Sequence, residues 1–451
     1  MYFLYFVILV AMFQEAVFGS LGVSGVTLFL MRALVDMLSI LIFLYAFFRN
    51  IVDARPFPIS GIGYERFFIL FLIYSIFISA ISINSNLGAN FAEILVLNRF
   101  VFIAITIPFI ATSTQKVERL LKFLWIMVVL QIALGVIQEI GGPSVVEFFK
   151  PNDYNNLLAG SERSFTSNRG IDRRMLIGSL GDFISYGYIL FFGLLLLISK
   201  AVNIKYSKVL TIFILAMIFL AGSRIIFLAS LLTCFVYIYL RMRKRNKIVV
   251  LFLLIFLMPP ALISMLELAA GVEFKYNSFL SLFKPEFVQA LMSQRLGHLV
   301  LYLPELLKDP IVIVGLSPDK LLVETYAVEK HGDVLPYVLL ATFSGTLEDF
   351  YPAALISYYG LIGSFLFYGM YYRIMRTAWA DKSGSSLLAT MSRSILLMSF
   401  AMHALSLGNQ SFENRGLSLV FWVCIGLYSS LRMISMRSPK AVETTKSKVE
   451  G

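Results

Sequence analysis

Long apolar runs dominate the hydropathy pattern of this 451-residue chain. A run of about 17 to 25 apolar residues is long enough to cross a bilayer as an α-helix. The pattern predicts about twelve such spans and therefore an all-α integral membrane protein, with one polytopic domain over residues 1–435. The predicted spans are 2–18, 27–48, 66–83, 93–111, 120–141, 183–199, 207–221, 225–240, 248–270, 351–372, 386–405 and 416–432.

The distribution of Lys and Arg predicts how these spans are oriented. If both termini are cytoplasmic, 22 of the 38 Lys and Arg residues fall on the inside, and the short outside loops at 19–26 and 84–92 contain none. This is the positive-inside pattern of multi-pass proteins. The first run has no basic residues before it and carries Gln14-Glu15 where a cleavage site would lie, so we interpret it as a retained span and not a signal peptide.

Two predicted outside segments are too long to be simple connectors. They cover 142–182 and 271–350, and the second is about 80 residues long. Apolar residues at helical spacing from Phe287 to Leu307 predict an amphipathic helix within the second segment, with Pro304 and Pro310 as breakers. The polar tail at 436–451 is predicted to be disordered and cytoplasmic.

Composition agrees with a lipid-embedded chain. Hydrophobic residues make up 59%, charged residues 14%, and the mean hydropathy is +0.82, which excludes a soluble enzyme, a disordered protein and a disulfide scaffold. The net charge of +11 fits the basic inside loops better than it fits nucleic-acid binding. The three His residues are widely spaced, which argues against a His-based metal site, and the sequence has no nucleotide-binding loop motif.

Candidate chemistry is concentrated on the predicted outer face. Arginine binds phosphate oxygens through two parallel hydrogen bonds and keeps its charge, so an arginine cluster there is a candidate anion site. The alternative is a solvated charge run on a long loop. The first outer segment holds four such residues within twelve positions: Arg163, Arg169, Arg173 and Arg174.

Further cations accompany this cluster. Gly222-Ser223-Arg224 joins two spans almost directly, so Arg224 is expected at the outer membrane boundary, either facing a polar cavity or snorkelling as a hairpin anchor. Arg295 and His298 share one face of a helix by their spacing, although a single His at an interface is more often structural. Arg415 belongs to a polar outer loop at 409–416 that would line the same mouth.

Acidic and buried ionisable residues complete the set. Glu348 and Asp349 precede the tenth span, where they act as a general base, as a helix N-terminal cap, or as both. Arg32 and Asp36, four residues apart, are expected to neutralise each other. Arg99 has no partner nearby in sequence, so we expect it to face the cavity.

Three motifs resemble the bacterial O-antigen polymerase and O-antigen ligase superfamily. Gly-Ser-Arg at 222–224 is similar to its Ser-Arg signature. Arg295 followed by Leu306-Leu307-Lys308-Asp309-Pro310 and Gly315 is similar to its arginine, helix, Pro and Gly run. Asp349-Phe350, nine residues and then Gly360-Leu361-Ile362-Gly363 resemble the His-Asn element of the ligases. Asp349 stands where a ligase has its functional His, and His331 is out of register, which favours the polymerase.

The resemblance implies a GT-C-like membrane glycosyltransferase of the bacterial inner membrane. Its substrate would be an undecaprenyl-diphosphate-linked oligosaccharide bound at the outer leaflet, without a metal or other cofactor. Arg224, Arg295, Glu348 and Asp349 would be catalytic, and the binding residues would be Arg99, Arg163, Arg169, Arg173, Arg174, His298 and Arg415. The glycan, its stereochemistry and a chain-length regulator as partner stay open.

Three other functions remain open from the sequence. A ligase would transfer finished glycan to lipid A core. A flippase or transporter for lipid-linked sugars fits the span count equally well, but it does not need an arginine set restricted to the outer face. A lipid-binding structural protein is the simplest alternative.

Overall fold

The computed structural model describes residues 1–21, 25–53, 61–82, 86–148, 176–180, 183–221, 224–241, 302–331, 351–406 and 412–437. These residues form helices and turns, with no strand among them. In chain order the helices are α1 (Tyr2–Ser20), α2 (Gly25–Val52), α3 (Tyr64–Ile81), α4 (Leu87–Ile110), α5 (Thr114–Gly141), α6 (Pro143–Phe148), α7 (Phe183–Ser199), α8 (Ser207–Leu220), α9 (Arg224–Arg241), α10 (Leu303–Leu306), α11 (Lys320–His331), α12 (Tyr351–Asp381), α13 (Leu387–Ser406) and α14 (Arg415–Arg437), with a 3-10 helix at Pro310–Val312.

The structure confirms an all-helical, membrane-type architecture in the part of the chain it describes. Among the described residues, six helices are long and apolar enough to cross a bilayer: α3, α4, α5, α12 and most of α2 and α14. Four further apolar helices are shorter, and α8, with 14 residues, reaches only about 21 Å at 1.5 Å per residue. The predicted span at 248–270 lies outside the described residues.

Several helices extend beyond the apolar runs that predict them. Helix α4 begins at Leu87 because Asn86 caps it, its side chain accepting hydrogen bonds from Gly88 N–H (2.9 Å) and Ala89 N–H (3.3 Å). Helix α12 continues to Asp381, nine residues past the predicted end of its run, and kinks at Gly360. Polar residues at helix ends keep their backbone hydrogen bonds, so hydropathy alone places the ends too far inward.

Helix α14 is the central helix of the bundle. It packs along α4 and contacts α7, α13 and α1, and its residues from Leu417 to Leu431 are buried, including Trp422 and Tyr428. Helices α2 and α3 instead expose large apolar side chains such as Leu41, Ile73 and Phe77. The described part of the chain has six helices that are apolar and long enough to span a membrane, and such exposed faces are suited to contact with lipid tails.

Part of the predicted first outer loop is packed inside the bundle. Residues Leu176–Leu180 are buried, and Gln138 Oε1 accepts hydrogen bonds from the N–H groups of Ile177 (3.1 Å) and Gly178 (2.9 Å). Ser179 donates to the Met12 carbonyl oxygen (2.7 Å) and accepts from Gln131. The side chains of two buried glutamines on α5 therefore supply hydrogen-bond partners for irregular backbone. Without such partners this segment could not lie inside the bundle.

The second long segment is folded where it is described. Of the predicted amphipathic helix, only its final residues are described, in α10. Pro304 lies in the first turn of α10, and Pro310 begins the 3-10 helix after α10 has ended. The residues before Tyr302 lie outside the described part of the chain, so the breaker role of the two prolines stays a prediction. Proline fits the first turn because its fixed φ is helical and its missing N–H has no partner there.

Candidate functional site

Two glycines attach the second segment to the kink of α12. Gly315 (φ 90°) and Gly360 (φ 66°) lie backbone against backbone, and a Cβ on either residue would overlap main-chain atoms of the other segment. Both residues belong to the motifs that carry the family resemblance. Glycine is required because the conformation is left-handed and no space remains for a side chain.

Hydrogen bonds hold the segment on both sides of this contact. The Leu316 N–H donates to the Ser357 carbonyl oxygen (3.0 Å), and the Ile362 N–H donates to the Ile313 carbonyl oxygen (3.3 Å). Tyr74 of α3 donates its hydroxyl to the Val314 carbonyl oxygen (2.8 Å). The kink at Gly360 thus exposes backbone groups that the incoming segment pairs with, as buried main-chain groups must be paired.

The segment then runs over the first turns of α4. Ser317 donates to Asn90 Oδ1 (2.8 Å), and Asp319 Oδ2 accepts from the Asn86 N–H (3.3 Å). Asp319 Oδ1 also accepts from the N–H groups of Leu321 (3.1 Å) and Leu322 (3.4 Å) and so caps α11. This fixes the position of Lys320, the first residue of α11.

Lys320 lies between two carboxylates from distant parts of the chain. Its Nζ is 3.2 Å from Glu93 Oε2 on α4 and 2.5 Å from Glu413 Oε2, which precedes α14. Tyr351, the first residue of α12, donates its hydroxyl to Glu413 Oε1 (3.3 Å). The side chains of Lys320 and Glu93 are 24% and 28% exposed, so the pair is only partly buried.

A second ion pair adjoins this group deeper in the bundle. Arg99 Nη1 is 3.4 Å from Asp36 Oδ2 on α2, and Arg99 Nη2 donates to the Glu413 carbonyl oxygen (2.9 Å). Arg99 and Asp36 are 6% and 13% exposed, and the Arg99 Nε is buried without a hydrogen-bond partner. We refer to Asp36, Glu93, Arg99, Lys320 and Glu413 as the polar cluster, whose three carboxylates and two cations give a formal charge of −1.

Arg99 is the one predicted site residue whose side chain the structure describes. It is buried and paired with Asp36, a partner 63 residues away in the chain, so a search of nearby sequence could not find it. That Arg99 faces a substrate cavity stays a prediction. The predicted Arg32–Asp36 pair stays a prediction, because the Arg32 side chain lies outside the described residues.

The other predicted site residues are not brought together by the described coordinates. Arg224 and Arg415 begin α9 and α14, but their side chains lie outside the described residues. The same holds for the whole of Arg163, Arg169, Arg173, Arg174, Arg295, His298, Glu348 and Asp349. Their convergence on one site stays a prediction.

Sequence reasoning missed Glu93 and Lys320, and it included Glu413 only as part of the polar outer loop at 409–416. Each is charged and lies at the predicted outer end of an apolar run or inside a long outer segment, which is a usable signal. More than 90 residues of chain separate Lys320 from each of its two carboxylate partners, so spacing could not pair them. Among the described residues, no group of three or more His, Cys, Asp or Glu side chains could hold a metal ion.

A separate charged group stabilises the fold of the second segment. Asp309 accepts hydrogen bonds from Tyr326 Oη (2.8 Å) and the Ile311 N–H (3.2 Å), and its Oδ2 is 2.8 Å from Lys330 Nζ. Burial alone would raise the pKa of Asp309, but the hydrogen bonds from Lys330, Tyr326 and Ile311 outweigh it and lower the pKa to about 2. Asp309 therefore joins the start of the 3-10 helix to the end of α11.

No family model and no curated protein matches this chain.

Proposed function

We propose that this chain is a polysaccharide polymerase of the bacterial inner membrane. It would transfer a growing glycan from undecaprenyl diphosphate to the terminal sugar of a new lipid-linked repeat at the outer face. The observation that carries the proposal is the backbone contact between Gly315 and Gly360, which unites two of the three motifs that resemble the O-antigen polymerase and ligase superfamily.

The proposed chemistry needs a bound diphosphate and an oriented hydroxyl. The acceptor oxygen attacks the anomeric carbon, the bond from that carbon to the diphosphate oxygen breaks, and the acceptor proton passes to Asp349 or Glu348. The leaving lipid diphosphate gains negative charge, so arginines near it stabilise the transition state more than the ground state. Arg224 and Arg295 would serve this role, with Arg163, Arg169, Arg173, Arg174, His298 and Arg415 binding phosphate or saccharide.

The polar cluster supports an extension of this scheme to the sugar. A carboxylate beside an ammonium group offers one acceptor and one donor, which is the set that two neighbouring sugar hydroxyls require. Glu93 and Lys320 have this arrangement and are partly exposed, whereas Glu413 is held by Lys320 and Tyr351. We assign Glu93 and Lys320 to saccharide binding and Glu413 to positioning Lys320.

Polymer length in cells tests this assignment. Lys320→Met removes the ammonium group, and we expect about a 10²-fold loss of chain extension, the cost of misplacing a bound substrate. Arg295→Ala should also abolish long chains. Lys208→Met is the matched control, because Lys208 is exposed at the start of α8, on the predicted inside face, and belongs to none of the three motifs.

Two results would oppose the proposal. Normal long-chain polymer in both the Lys320→Met and Arg295→Ala strains, at normal protein levels, would remove these residues from the site. Failure of the purified chain to lengthen glycans without lipid A, together with transfer of finished glycan when lipid A core is supplied, would indicate a ligase instead of a polymerase.

A further inference from the structure

A cleft between α1, α2 and α4 opens at the end of the bundle opposite the first turns of α4. It has a volume of about 700 Å³ and is lined where α1 begins, α2 and α4 end, and α5 begins. This volume is within the range of small-molecule sites in proteins. The positive-inside pattern assigns this end to the cytoplasm, and none of the residues proposed above for polymerisation belongs to it.

One wall of the cleft changes along its length from an apolar side chain to a hydroxyl group and then to a cation. Leu41, Tyr45 and Arg49 follow each other at four-residue spacing on one face of α2, so they span about 12 Å along the helix axis. Leu41 and Tyr45 are more than half exposed. The Arg49 guanidinium donates a hydrogen bond to the Tyr45 hydroxyl (3.2 Å), so the two polar groups of this wall are linked.

The far side of the cleft carries a second cation. Lys116, in the first turn of α5, donates to the Ile110 carbonyl oxygen (3.4 Å) and to Thr112 Oγ1 (3.3 Å). An ammonium group has three donors, so a third remains for a ligand. Asp53 is the single carboxylate of the lining and is 3.9 Å from Arg49 Nε, which leaves the side chains of the lining with a formal charge of +1.

We propose that this cleft binds an anionic phospholipid of the inner leaflet. The apolar step at Leu41 fits an acyl chain, the Tyr45 hydroxyl fits the glycerol ester region, and Arg49 and Lys116 take the phosphate oxygens. A phosphate group alone could use the same two cations, but it would leave the apolar wall without a ligand. Basic pockets between membrane helices on the cytoplasmic side are suited to anionic headgroups.

Native mass spectrometry of the purified full chain tests the lipid and its site. The chain is titrated with phosphatidylglycerol or phosphatidylcholine, and we expect phosphatidylglycerol to bind more tightly. Arg49→Gln and Lys116→Gln should each weaken its apparent affinity about fivefold, the effect of one cation near an anionic surface. Lys208→Gln, at an exposed cation on the same predicted side, should leave it unchanged.

A variant that is expected to bind the lipid more tightly makes the test independent of misfolding, because a misfolded protein would bind it less tightly. Asp53→Asn removes the carboxylate beside Arg49, so phosphatidylglycerol should bind about twofold more tightly, in proportion to a weak exposed ion pair. Equal binding of the two lipids, or equal loss in Lys208→Gln, would overturn the proposal. Displacement of phosphatidylglycerol by inorganic phosphate would also overturn it, because the ligand would then be the free anion.

Discussion

At the scale of single residues, Arg99 illustrates how structure changes an assignment. The sequence suggests a substrate-binding cation, whereas the described coordinates give it Asp36 and the Glu413 carbonyl oxygen as partners. Breaking a buried pair by removing one charge costs about 3–5 kcal/mol, because the other charge is left uncompensated. We therefore expect both Arg99→Gln and Asp36→Asn to destabilise the protein by that amount.

A double-mutant cycle on thermal unfolding separates the two roles of Arg99. If the pair is structural, the double variant should be less destabilised than the sum of the single variants. Loss of polymer without loss of stability in Arg99→Gln would contradict the structural role and support substrate binding.

Asp309 gives a prediction with a defined pH dependence. Asp309→Asn should destabilise the fold by about 1–3 kcal/mol at neutral pH, since Lys330 and Tyr326 lose a charged acceptor. The folded pKa of Asp309, about 2, is below the ordinary value. Its stabilisation is therefore complete above about pH 4, near the unfolded pKa, and is lost as the pH falls towards 2.

Thermal unfolding of wild type and variant across this pH range measures the effect. The difference between them should shrink as the pH falls from about 4 to about 2. The control is Glu305→Gln, which removes the partner of exposed Lys308 and should change little. A difference between wild type and Asp309→Asn that is independent of pH would contradict the pKa assignment.

At the scale of elements, the contact between Gly315 and Gly360 decides where the second segment lies. Alanine at either position must accept a left-handed conformation and also overlap backbone atoms, so we expect a loss of about 2 kcal/mol or more. Gly384→Ala is a matched control, because Gly384 has φ 100° but nothing lies within 4 Å of its Cβ position. Melting temperatures in detergent measure all three variants.

The control separates the two costs of alanine. Gly384→Ala carries only the cost of a left-handed residue, so Gly315→Ala and Gly360→Ala should be clearly less stable than it is. Equal destabilisation of all three would mean that the close backbone approach contributes nothing to the fold.

At the scale of the whole molecule, hydropathy predicted where most helices lie but not how they pack. Apolar runs identify α3, α4, α12 and α14 because lipid-facing and buried positions are both apolar. The burial of Leu176–Leu180 was not predictable from sequence. It depends on hydrogen bonds between the side chains of Gln131 and Gln138 on α5 and the backbone of this non-helical segment. Sequence spacing says nothing about such distant pairs.

Only part of the candidate site could be predicted from the sequence. The motif glycines at 315 and 360 were selected from the sequence, and the structure gives them one shared reason, a backbone contact. Lys320 and Glu93 were not selected, and Glu413 was placed only within a polar outer loop, because a charge at a membrane boundary is common and only the fold brings these three together. The arginine set and Asp349 stay predictions.

Reconstituted polymerisation tests the central claim most directly. The purified chain is placed in lipid vesicles with undecaprenyl-diphosphate-linked repeats, without lipid A, nucleotide sugars or any other protein. The account predicts a ladder of lengthened glycans and release of undecaprenyl diphosphate in proportion to the bonds formed. Folded protein that moves the repeats across the bilayer, or leaves them unchanged, without lengthening a single chain would contradict it.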